Sequence, residues 1–89
     1  MSVSPSSFSK TEDTYSTNHV RWRIANHISQ QGYIGATDSE IAKELKIHPR
    51  LVQIARRELV VRGEIVNTLR MRRVNGTLEA VYTDKRYFL

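Results

Sequence analysis

Apolar residues recur with a helical rhythm up to about residue 62 and then alternate, so the pattern predicts helices followed by strands. Val20, Ile24 and Ile28 come every fourth residue with Ala25 beside them, which predicts a first helix opening near Thr17 or Asn18. Either residue can accept a backbone N–H at a helix start, and Gly32 suits a left-handed stop. Trp22 lies off this stripe. Tyr33 to Ala36 reads as a short extended piece. Thr37-Asp38-Ser39-Glu40 then has the form of a capping box, in which the threonine hydroxyl takes the N–H three residues on and Glu40 reaches back. The second helix buries Ile41, Ala42 and Leu45 and lasts about two turns. Lys46-Ile47 is the turn. His48-Pro49 opens a third helix, with His48 as cap and Pro49 at the first position, where its missing N–H loses nothing. Val52, Ala55 and Leu59 form its buried stripe, and Gly63 ends it after about Arg62.

From Glu64 the period is two. Glu64–Val74 and Thr77 to about Asp84 flank Asn75-Gly76, a pair suited to a type I′ hairpin turn because both positions need positive φ. That turn predicts a register in which Val74 faces Thr77, Arg72 faces Glu79, Met71 faces Ala80 and Leu69 faces Tyr82. One face would then hold Leu69, Met71, Leu78, Ala80 and Tyr82. The other would hold Thr68, Arg70, Arg72, Thr77, Glu79 and Thr83.

Length and charge sharpen the picture. The 89 residues suffice for one domain, expected over residues 17–89, with the serine- and threonine-rich residues 1–16 as a flexible tail. Residues 1–45 carry four Lys/Arg against five Asp/Glu, while residues 46–89 carry ten against four, so the net +5 is concentrated in the second half. A basic half suits a polyanionic partner. No cysteine is present, which excludes disulfides and thiolate zinc sites and fits a reducing compartment. No apolar run approaches the roughly 20 residues of a membrane span, and the start of the chain lacks the apolar centre of a signal peptide, so a protein without membrane contact is expected, cytoplasmic, or nuclear if its host has a nucleus. His19, His27 and His48 lack metal-ligand spacing, and no phosphate-binding or nucleophile motif occurs. The expectation is a non-enzyme without metal or cofactor.

The order of helix, short strand, helix, tight turn, helix and hairpin resembles the winged helix-turn-helix family over about residues 18–84. The resemblance rests on DSEIAKELKIHPRLVQIARRELVVRGEI and the hairpin VNTLRMRRVNGTLEAVYTD. Ile41, Ala42, Leu45, Ile47, Val52, Ala55 and Leu59 stand at positions that family keeps apolar. Lys46 stands where many such turns have glycine. The arginines ahead of the hairpin turn also look like those of small regulators carried by bacteriophages and mobile elements. The resemblance implies an α+β fold of three helices with a two- to three-stranded antiparallel sheet. It implies double-stranded DNA as partner, with the third helix in the major groove.

At 100° per residue, Arg50, Gln53, Ile54 and Arg57 point away from the buried stripe and Arg56 lies at its edge. Arginine can pair with guanine, glutamine with adenine, and isoleucine can touch a thymine methyl. Arg70, Arg72 and Arg73 on the hairpin, and Lys43 and Lys46 around the turn, are phosphate candidates. Arg72 could equally pair with Glu79 across the strands. The expected function is a sequence-specific DNA-binding regulator of transcription, as a monomer or weak homodimer. A protein-interaction module using Ile54, Val60 and Val61, and an architectural or recombination accessory factor that bends DNA, are the alternatives.

Overall fold

The computed structural model describes residues 5–88, with side chains from Asn18 onward. In chain order it holds α1 (Pro5–Gln31), α2 (Asp38–Leu45), α3 (Pro49–Val61), β1 (Ile65–Val74) and β2 (Thr77–Asp84), with single 3-10 turns at Gly32–Ile34 and Lys85–Tyr87. The helix expected to begin at Thr17 or Asn18 begins at Pro5 instead, so both positions lie within it. The expected tail thus continues α1 from residue 5, and residues 1–4 lie outside the described residues. Pro5 fits a first helical position, and no glycine or proline interrupts Ser6 to Gln31. Asn18 lies inside the helix, and its Oδ1 accepts from Arg21 at 2.6 Å.

Ile24 and Ile28 of α1 are fully buried against Ile41 and Ala42 of α2, Ile47 of the turn, and Val52, Ala55 and Leu59 of α3, with Val20, Ala25 and Leu45 at the margin. Those are the residues that periodicity selects. Ile65 and Tyr82 close this core from the hairpin side. Trp22 is exposed and stacks on His19, with centroids 6.1 Å apart.

The connection from α1 to α2 depends on Gly35. Its φ is +68°, and a Cβ there would sit 2.6 Å from the Tyr82 carbonyl oxygen and 2.7 Å from Val81 Cγ1. Glycine alone permits that approach. It lets Ala36 exchange both backbone hydrogen bonds with Tyr82, at 2.9 Å each. The expected short strand is therefore a 3-10 turn followed by a one-residue bridge on β2.

The capping box at Thr37 is complete: Glu40 N–H donates to Thr37 Oγ1 at 3.3 Å, and Thr37 N–H donates to Glu40 Oε1 at 3.0 Å. His48 caps α3 by accepting the Arg50 N–H on Nδ1 at 3.1 Å. Lys46, between the two helices, takes the left-handed conformation with φ 57°.

The hairpin keeps the expected register from Val74↔Thr77 to Met71↔Ala80 and then departs from it. Asn67, not Leu69, faces Tyr82, because β1 bulges between Asn67 and Met71. Leu69 turns left-handed (φ 67°), and the loop is held from inside. Asn67 Oδ1 accepts the Leu69 N–H at 2.8 Å; buried Thr68 Oγ1 donates to the Val81 carbonyl at 2.9 Å and accepts the Arg70 N–H at 3.1 Å. The face expected to be apolar is buried only at its base. Tyr82 is in the core, while Leu69, Met71 and Leu78 are 85%, 58% and 53% exposed.

Candidate nucleic-acid interface

α3 is amphipathic in the sense required of a reading helix. Val52, Ala55 and Leu59 are buried, and Arg50, Gln53, Ile54, Arg57 and Val61 occupy the opposite arc, all exposed. Val61, at the far end of this arc, is 82% exposed, and it extends the face beyond the four residues expected from sequence. An open cleft of 620 Å³ runs beside α3. Arg50, Gln53 and Arg56 form one wall, Asp38 and Ser39 of α2 the end, and Glu79, Ala80 and Tyr82 of β2 the other wall. Met71 pairs with Ala80 and Arg73 with Leu78, so strand alternation places all four on the face that looks toward α3. Arg57 lies on the far flank of α3, in a shallower depression with Arg21, Glu58, Val61 and Arg62.

The candidate cations separate by what they touch. Arg56 is taken up inside the fold. Its Nε donates to Asp38 Oδ1 at 3.0 Å, its Nη2 donates to Asp38 Oδ2 at 2.8 Å, and its guanidinium lies 4.6 Å from the centroid of the Tyr82 ring. Its side chain is only 15% exposed. The Asp38 hydrogen bonds hold its pKa above the ordinary arginine value despite the opposing effect of burial. Arg72 is likewise engaged, but not by the Glu79 that it faces. Its Nη1 donates to Glu40 Oε1 at 2.6 Å and its Nη2 to the Ile34 carbonyl. The same Oε1 accepts the capping N–H of Thr37, so Glu40 joins the start of α2 to the hairpin.

Glu79 serves α2 instead. It accepts the Ser39 N–H at 3.1 Å and the Ser39 hydroxyl, placing its carboxylate against the first turn of the helix. Burial would raise its pKa; the Ser39 hydroxyl and N–H, helped by Thr37, outweigh that and leave it below the ordinary glutamate value. With this N–H occupied from within the chain, the α2 N-terminus has less to offer an external anion.

The remaining candidates have no carboxylate partner among the described residues. Arg70 and Arg73 donate only to the backbone carbonyls of Tyr33 and Gly76, at 2.9 and 3.1 Å. A carbonyl satisfies a donor without cancelling its charge. Lys43, Lys46, Arg50 and Arg57 are exposed. Arg50 and Gln53 are thus brought together with the Ala80 face of the hairpin, Lys46 lies just ahead of α3, and Arg70 and Arg72 occupy the opposite hairpin face, anchored on residues 33 and 34.

No protein-family model, curated protein or solved structure matches this chain. Its chemistry is therefore read from its own geometry. Among the described residues, no three His, Asp or Glu side chains converge as a metal set, and no helix is long and apolar enough to cross a membrane. Sequence reasoning missed the Arg56–Asp38–Tyr82 cluster and the Leu69 bulge. The first joins residues far apart in the chain and leaves no local signal. The second had one in Asn67-Thr68, two side chains apt to bond nearby backbone.

Proposed function

We propose that this chain is a winged helix-turn-helix protein that binds double-stranded DNA in a sequence-specific way and regulates transcription. α3 enters the major groove, and the β1–β2 hairpin is the wing. Arg50, Gln53, Ile54 and Arg57 face base edges; Lys43, Lys46, Arg70 and Arg73 meet phosphates. Arg56 and Arg72 hold the fold together and take no part in reading.

One observation carries this reading. Six cations on α2, the turn, α3 and the wing lack a carboxylate partner among the described residues, and two of them, Arg50 and Arg57, bracket an exposed glutamine and isoleucine on one face of α3. Charge left uncompensated on a face mixed in this way suits a polyanion with readable edges.

Selection of bound duplexes from a random pool tests it. A recurring sequence should emerge. Arg50→Ala with Gln53→Ala should then reduce the preference for that sequence over random duplex by about tenfold or more, since each good base contact discriminates by about 1–3 kcal/mol. An equal loss on both duplexes would remove α3 as the reader.

A second reading, a protein-interaction module, draws on the exposed Leu51, Ile54, Val60 and Val61 of α3. Failure to enrich any duplex would favour it.

A further inference from the structure

We propose that Leu69 is a wedge, pressed by the wing into a base-pair step of bound duplex DNA so that the duplex bends. This rests on the DNA-binding reading above and goes beyond it, because it assigns the protein a mechanical effect on its target.

Leu69 is the most exposed large apolar side chain described, at 85%. It also holds a left-handed backbone conformation that a leucine adopts only at a cost. An exposed leucine in that conformation stabilises nothing in the fold, yet its position is built with care. Asn67 receives its N–H, buried Thr68 fastens the loop to Val81, and Arg70 closes the far side on the same Thr68 oxygen. A bulge of this kind re-aims a side chain, and backbone strain concentrates at sites of function.

The surroundings select the partner. Arg70, beside Leu69, and Arg73, further along the strand, donate only to carbonyls and keep their charge. A two-stranded ribbon on which Leu69 is the most exposed of three apolar side chains, with Met71 and Leu78 less so, and which carries arginines with uncompensated charge, suits a DNA groove, where an apolar residue can separate stacked bases while arginines hold the backbone. Even together with the partly exposed Met71 and Leu78, Leu69 offers less than the about 800 Å² on each partner that a stable protein interface needs.

The test uses the duplex recovered from the random pool, labelled with a donor and an acceptor dye at its two ends. Anisotropy reports binding and energy transfer reports bending in one titration. The unaltered protein should raise the transfer. Leu69→Gly should abolish most of that rise with less than about a tenfold loss of affinity, while its thermal unfolding temperature holds or increases, since glycine accepts the left-handed backbone freely. Leu69→Met should retain the rise. A complex with unchanged transfer would overturn the proposal and leave Leu69 for a protein partner. So would a glycine variant that bends DNA as well as the unaltered chain. Absence of binding in the anisotropy channel would instead overturn the DNA reading itself, and the two failures are read separately.

Discussion

Glu79 shows how one side chain can be assigned to the wrong partner when only its strand position is considered. It stands opposite Arg72, but its carboxylate belongs to Ser39 at the first turn of α2. The pH dependence follows. Burial acts to raise its pKa, the Ser39 donors act to lower it, and the net value in the fold is depressed. A carboxylate whose folded pKa lies below its unfolded value contributes stability above the unfolded value, and that contribution is lost as pH falls through the folded one. Glu79→Gln should therefore lower the urea midpoint at neutral pH. The gap to the unaltered protein should narrow on acidification below the ordinary glutamate value of 4.5. A gap that stays constant across that range would mean the Ser39 contact contributes through shape and not through charge.

At the scale of elements, the decisive object is the cluster that binds α2, α3 and β2 through Arg56. A bidentate fork on Asp38 and a flat guanidinium on Tyr82 use the two properties that arginine has and lysine lacks. Arg56→Lys should cost about 1–2 kcal/mol in denaturant unfolding and Arg56→Ala somewhat more, while duplex affinity below the unfolding transition changes little. A variant that stays stable but loses duplex binding would return Arg56 to the interface. The same cluster marks the limit of what the sequence makes legible. The capping box at Thr37, the His48-Pro49 start and the Asn75-Gly76 turn are readable because each is closed by residues at most three apart. The core stripes are readable because burial repeats with the helix. Arg56 and Asp38 are 18 residues apart, and Arg72 and Glu40 are 32 apart, so their pairing exists only once the helices and hairpin have docked. Alternation misplaced Leu69 opposite Tyr82, where Asn67 stands, whereas Met71 and Leu78 keep the expected register and are exposed. The apolar pattern of the hairpin runs past the core that its base covers, and Thr68, bonded to Val81, breaks the register where pattern and core diverge.

For the whole molecule, the formal charge of +5 overstates some regions of the surface and understates others. Ion pairs withdraw Arg21, Arg56, Arg62, Arg72 and Arg86. Arg62 and Arg86 remain exposed and screened by a neighbour two residues away, whereas Arg56 and Arg72 hold elements together across the fold. Among the described residues Arg23, Lys43, Lys46, Arg50, Arg57, Arg70, Arg73 and Lys85 keep no carboxylate partner, and the proposed function puts Lys43, Lys46, Arg70 and Arg73 on phosphates and Arg50 and Arg57 at the bases. Each phosphate neutralised releases counterion, so affinity should fall with salt on a logarithmic slope of about −4. Arg73→Ala should flatten that slope by about one unit on specific and random duplexes alike, because a phosphate carries no sequence. Arg72→Ala removes the same formal charge but one already compensated by Glu40, so its slope should remain that of the unaltered protein while its thermal stability falls. Net charge alone predicts the same change for both variants. Equal slopes for the two would show that pairing inside the fold does not decide which arginines meet DNA, and the assignment of the wing would fall with it.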